Sequence, residues 1–174
     1  DVQFIRDNRV VNFPGEDDGK VVAEFMDKPS NDTSQENMLD RMERLMQRVG
    51  LAQKAIGKLL ELSCKKDYTE IERDALIQRF EFSYELIWKC AKDYLRVHDG
   101  IDSASPRRVI RDCREVGILD EQEVKLALQM SDDRNLTVHT YDEAFAEVLA
   151  GRISDYAVFL HTWLERIMEE LCLR

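Results

Sequence analysis

From residue 39 onward apolar side chains recur at helical intervals. Leu39, Met42, Met46, Val49, Ile56, Leu59 and Leu60 fall largely at i, i+3, i+4 spacing and predict an amphipathic first helix. Thr69-Glu70-Ile71-Glu72 is a capping box that opens a second helix. That helix carries Leu76, Phe80, Tyr84, Ile87, Ala91 and Tyr94 on one face and Phe82, Leu86 and Cys90 on another, so burial is expected on two sides. It should stop near Gly100. Ser105-Pro106, an N-cap followed by proline at the first helical position, opens a short helix ending around Gly117. Asp120-Glu121-Gln122-Glu123 starts the next, through Val124, Leu126, Leu128 and Met130. Thr140-Tyr141-Asp142-Glu143 reads as a further Thr-x-x-Glu cap. It leads a last helix striped by Phe145, Leu149, Ile153, Ala157, Leu160, Leu164, Ile167 and Leu171. No period-two strand pattern appears after residue 36. The expected fold is all-α: an up-and-down four-helix bundle with one additional short helix.

Residues 1–36 differ in character. They hold nine acidic and four basic side chains and two of the three prolines. Val2–Ile5 and Val10–Phe13 flank Asp7-Asn8 as a short hairpin candidate, and Asn31–Gln35 reads as a linker. The expected organisation is an acidic tail or arm over 1–36 and a helical domain over 37–174.

Composition supports long helices, since Gly and Pro together number only ten. The longest run without a charge, Tyr156–Leu164, has nine residues, about half of what a spanning helix needs. With no basic, then apolar, leader pattern, membrane and secreted classes are not expected. The four cysteines, Cys64, Cys90, Cys113 and Cys172, show no metal or disulfide spacing and read as reduced, buried thiols of a cytoplasmic protein. A net charge of −10 argues against a general nucleic-acid coat protein and leaves room only for a local basic site.

Candidate chemistry concentrates in Asp132-Asp133-Arg134-Asn135-Leu136-Thr137-Val138-His139-Thr140-Tyr141. On one continuous helix Arg134 and His139 would point about 140° apart. If Thr140 caps the last helix, Arg134 ends one helix, His139 precedes the next and Tyr141 is its first residue. The amides at such a helix start suit a phosphate and favour neutral imidazole. An always-charged Arg beside a titratable His is the minimum for phosphodiester transfer; the alternative is a surface ion pair and a capping His. Arg107, Arg108, Arg111 and Arg114 fall within about 120° on a helical wheel. They form either a basic strip for RNA or partner contact or an ordinary solvated face. Phe80, Tyr84, Trp88 and Tyr94 are expected in the core, while His98 and His161 lack ligand-spaced partners.

Three stretches carry a resemblance: Phe80–Lys89, Ser105–Arg111 and Asp133–Glu143. From about residue 39 to the C-terminus the chain resembles the nucleotidyltransferase substrate-binding-like proteins, a branch of the HEPN superfamily. The resemblance implies a bundle that dimerises and is encoded beside a minimal nucleotidyltransferase. In HEPN toxins an Arg-x4–6-His motif forms a metal-independent ribonuclease site across a dimer interface; Arg134, Asn135 and His139 occupy those places. In the Arg-x4-His-x-Tyr branch the partner enzyme, an antitoxin, adds AMP to the tyrosine, and Tyr141 matches it. The resulting expectation is a homodimeric toxin acting on RNA without cofactor or metal. A non-catalytic substrate-binding adaptor of the nucleotidyltransferase is the alternative.

Overall fold

The computed structural model describes residues 3–6, 9–12, 38–139 and 142–173. The chain divides into two units, Asp1–Asn37 and Met38–Arg174. In the first, β1 (Gln3–Arg6) and β2 (Arg9–Asn12) pair antiparallel, with Gln3 opposite Asn12 and Arg6 opposite Arg9. Each strand lies one residue nearer the turn than the apolar pattern suggested. The Asn31–Gln35 linker lies outside the described residues.

The second unit is helical: α1 (Met38–Ser63), α2 (Glu70–His98), α3 (Pro106–Glu115), α4 (Glu121–Leu136), a 3-10 turn (Thr137–His139) and α5 (Glu143–Leu173). Local chemistry sets these boundaries. Thr69 Oγ1 accepts from the Glu72 amide at 3.3 Å, and the Glu72 carboxylate accepts from the Thr69 amide at 3.0 Å. Lys65 and these Thr69 bonds hold the Glu72 carboxyl down at about 2. Ser105 caps α3 with Pro106 behind it, and Asp120 accepts from the Gln122 and Glu123 amides at 2.8 Å. Gly100 and Gly117, at φ 67° and 85°, follow α2 and α3 in the left-handed conformation that glycine adopts without strain.

Cross-helix contacts fix the directions. Arg48 pairs with Asp93 at 2.7 Å and Arg79 donates to the Lys58 carbonyl at 3.0 Å, so α1 and α2 run antiparallel. Glu85 meets Arg134 and Glu81 meets Thr137, which makes α4 antiparallel to α2. Arg152–Asp133 and Arg166–Glu123 contacts make α5 antiparallel to α4. The chain therefore runs up and down through α1, α2, α4 and α5, with α3 as the short extra helix packed on α2 and α4.

The core draws on α1 (Leu45, Val49, Ala52, Ile56, Leu59), α2 (Leu76, Phe80, Tyr84, Ile87, Ala91, Tyr94) and α5 (Leu149, Ile153, Tyr156, Leu160, Trp163, Leu164). Val109, Ile110 and Cys113 of α3 and Val124, Ala127 and Met130 of α4 close it. Two expectations are corrected. On α1 the buried stripe runs through Leu45 and Ala52, and Leu39 and Met46 are exposed, because Met46 lies about 100° around the helix from Leu45. On α2 the second apolar face is only partly covered: Cys90 is buried and Leu86 half-buried, but Phe82 is 58% exposed. The thiols divide as well. Cys90 and Cys113 are buried, and burial pushes both up to about 12, whereas Cys64 and Cys172 are exposed. Among the described residues no helix is long and apolar enough to cross a membrane.

Candidate functional site

The site is built at the C-terminal end of α4. Sixteen residues from the Asp120 cap bring Asp132, Asp133, Arg134 and Asn135 into the last turns, and Thr137 is the C-cap. Arg134 Nε lies 3.1 Å from Glu85 Oε1 on α2, a charge contact without the alignment of a hydrogen bond. Both side chains are about one-third exposed, at 31% and 30%. Glu85 is itself positioned, accepting from Trp88 Nε1 at 3.0 Å and pairing with Lys89 at 3.3 Å. The planar guanidinium of Arg134, half-buried and paired with Glu85, is of the type that binds a phosphate through two parallel bonds. The Thr137 hydroxyl lies between the Arg134 carbonyl, 2.7 Å away, and the Glu81 carboxylate. Beside it a 270 Å³ cleft, lined by Asp74, Ile77, Gln78, Glu81 and Thr137, opens between α2 and the 3-10 turn.

The acidic residues around the motif are engaged by the fold. Asp133 is buried; it accepts from Arg152 Nη1 at 3.0 and 3.1 Å and from the Tyr156 hydroxyl at 2.6 Å. Burial and the adjacent Asp133 carboxylate push the Tyr156 phenol up. Asp132 pairs with Arg107 of α3 at 2.5 Å. Asp142 caps α5, its Oδ1 accepting from the Phe145 amide at 3.3 Å, and Glu143 approaches Arg73 of α2 at 3.6 Å. The four carboxylates that flank the motif, Asp132, Asp133, Asp142 and Glu143, are thus each engaged with a cation, a phenol or a helix start.

This geometry corrects the expected cap. Asp142 rather than Thr140 opens α5, with the Asp142 carbonyl accepting the first helical bond from Ala146 at 3.0 Å. Glu143 is the first residue of the helix, and its carboxylate reaches Arg73 on α2. Tyr141 therefore precedes the helix. Arg134 does end one helix, and His139 falls in the 3-10 turn before the next. The side chain of His139, and Thr140 and Tyr141 as a whole, lie outside the described residues. Asn135 is exposed one position beyond Arg134.

The arginine strip on α3 is solvent-facing as its wheel indicates, with Val109, Ile110 and Cys113 buried opposite. Arg107 is taken by Asp132, and Arg108 by the buried Asp112 at 2.8 Å. Asp112 also accepts from the Ser103 hydroxyl at 2.6 Å. Arg111 and Arg114 have no such partner among the described residues. Phe80, Tyr84 and Tyr94 are core, and Trp88 is half-buried beside Glu85. His98 stacks on Tyr94 at 4.7 Å between centroids, and His161 pairs with Glu165 at 3.2 Å. Sequence reasoning missed Glu81, Glu85, Arg152 and Tyr156. Their signal was present as two i, i+4 pairs facing α4, one on each neighbouring helix.

Residues 33–169 match the family described as nucleotidyltransferase substrate binding protein like. The chain belongs to that family. Its helical unit has the HEPN-like fold that the resemblance implied. A curated relative, the probable ribonuclease HepT of Haemophilus influenzae (strain Rd), is 30% identical over 97 residues, which cover 53% of this chain and 65% of that protein. The match thus spans just under two thirds of that relative. A Thermus thermophilus protein of known crystal structure is 48% identical, with a TM-score of 0.66, covering 67% of this chain and 98% of its own. The crystal structure of a toxin–antitoxin with AMP-PNP has a TM-score of 0.55 at 11% identity, covering 71% and 96% of the two chains. At that identity the likeness concerns the fold of this family member.

Proposed function

We propose that this family member is an RNA-cleaving toxin whose cognate antitoxin is a minimal nucleotidyltransferase. The observation that carries the reading is the end of α4. There Arg134 is steadied by Glu85, His139 follows five residues later in the 3-10 turn, and the adjacent Asp132 and Asp133 are paired with Arg107 and Arg152. The relative named as a probable ribonuclease agrees with it.

In this mechanism Arg134 binds the scissile phosphate and offsets the charge that builds on its oxygens. His139 takes the proton from the ribose 2′-hydroxyl, whose oxygen attacks phosphorus. The bond from phosphorus to the 5′-oxygen breaks, and that oxygen takes a proton from the same histidine of a second protomer. The products are a 2′,3′-cyclic phosphate and a 5′-hydroxyl, and no metal or cofactor enters. Asn135 orients one of the reacting groups. One Arg and one His per chain make a thin site, which a two-fold homodimer doubles.

The non-catalytic adaptor reading draws on the Arg134–Glu85 pair, which occupies part of the guanidinium. Growth assays separate the two. Expression of the wild type arrests cells and His139→Ala relieves the arrest if the toxin reading holds; a harmless wild type rejects it in favour of the adaptor.

A further inference from the structure

Between α1 and α2 lies an open groove of about 420 Å³ lined by Leu51, Lys54, Ala55, Lys58, Arg79 and Phe82. Leu51 is 54% exposed and Phe82 58%; Phe82 is the only aromatic among the large exposed apolar side chains of the described residues. All the charged side chains in the lining are cationic, in a chain whose net charge is −10. Lys54 and Lys58 are one turn apart on one face of α1, about 6 Å along the axis. Arg79 faces them from α2, fastened by its bond to the Lys58 carbonyl at 3.0 Å. The floor is therefore apolar and partly aromatic, and the rim is a row of positive charge.

We infer that this groove is a binding site for single-stranded RNA, with Phe82 as a stacking platform for a base and Lys54, Lys58 and Arg79 as contacts to successive phosphates. The inference rests on the proposed action on RNA and assigns where the strand is held outside the reacting centre. An aromatic face flanked by cations is the usual means of holding single strands without reading their sequence. A second copy of this chain is a poor occupant, because a two-fold contact through the groove brings the same three cations onto themselves. The groove also has a short route to the site. Arg79 and Phe82 alternate along α2 with Gln78 and Glu81, which line the cleft beside Thr137. A strand crossing the exposed ridge of α2 passes from the groove to the 3-10 turn.

The test uses full-length His139→Ala protein, so that binding is read without cleavage, and a fluorescein-labelled single-stranded 12-mer RNA in an anisotropy titration. The groove variants are Phe82→Ala and Lys54→Glu with Lys58→Glu, both at exposed positions, with circular dichroism to check folding. Phe82→Ala should weaken binding about tenfold for the normal 12-mer and leave an abasic 12-mer unaffected. The double lysine variant should weaken both RNAs and flatten the salt dependence of binding. Equal affinity of folded variants and parent overturns the groove assignment, as does absence of RNA binding by the parent. If the variants bind RNA normally but lose the co-expressed nucleotidyltransferase, the groove is a protein-docking face and the inference is wrong. Weakened RNA binding in the variants alongside a wild type that cleaves nothing supports the groove while rejecting the catalytic reading.

Discussion

The Tyr156 hydroxyl donates to Asp133 Oδ2 at 2.6 Å, one residue before Arg134. The bond ties the last turn of α4 to the middle of α5, and Arg152 completes the anchor from one turn earlier. With α4 clamped on that side, Arg134 is directed toward α2 and Glu85. Tyr156→Phe removes one charge-assisted bond from a buried carboxylate and should cost about 1.5–3 kcal/mol of stability. Urea unfolding checks the figure; an unchanged midpoint contradicts the clamp.

The Arg134–Glu85 pair should behave in the opposite way. Both partners are about one-third exposed, so Glu85→Gln should cost less than about 1 kcal/mol. Under the proposed mechanism the same change lets the guanidinium wander and lowers RNA cleavage about tenfold. Arg134→Lys keeps the charge but loses the planar fork, and should be weaker still. Parallel stability and initial-rate measurements separate positioning from folding: a large stability loss in Glu85→Gln, or unchanged cleavage, rejects this division of roles.

The thiols give a pH prediction. Burial raises Cys90 and Cys113 from 9.0 to about 12, so the unfolded chain releases these protons first as pH rises. Their contribution to stability is intact below about pH 9 and is lost between 9 and 12. Denaturation at pH 8 and pH 10.5 should show a loss for the wild type that Cys113→Ala reduces. In a thiol-reagent titration at pH 8, Cys64 and Cys172 should react at once and the two buried thiols only on unfolding. Four equally fast thiols contradict the packing.

Much of the fold was legible because its signals are local. The Thr69 box, the Ser105-Pro106 start and the Asp120 cap each satisfy amides within three residues of themselves. The start of α5 was misread because Thr140-x-x-Glu143 overlaps Asp142-x-x-Phe145, and only the fold shows Glu143 reaching Arg73. The five-residue spacing from Arg134 to His139, and the break in the helix between them, were legible as well. Its supports, Glu81, Glu85, Arg152 and Tyr156, sit 19 to 56 residues away in sequence from the groups they hold and follow only from packing. Phe82 looked like core because a wheel records which face is apolar, not whether anything covers it.

Under the proposed function, Tyr141 is the residue that a nucleotidyltransferase partner would modify. It stands two positions from His139 and ahead of the Asp142 cap. AMP on Tyr141 adds a bulky, negatively charged group two residues from His139 in sequence, which would compete with RNA. Co-expression with the proposed nucleotidyltransferase partner followed by intact-mass measurement should show whole multiples of one AMP group on the wild type and none on Tyr141→Phe. That variant should stay toxic beside the partner; adducts on the Phe variant, or equal neutralisation, reject the assignment.

Under the proposed function Arg134 and His139 cleave RNA without a metal ion. The direct measurement is incubation of the purified protein with labelled RNA in excess EDTA, with analysis of the product ends. The expected products are 2′,3′-cyclic phosphate ends from the wild type, with a loss of about a hundredfold or more in His139→Ala. Activity that disappears with EDTA and returns with Mg²⁺, or that His139→Ala retains in full, would contradict it.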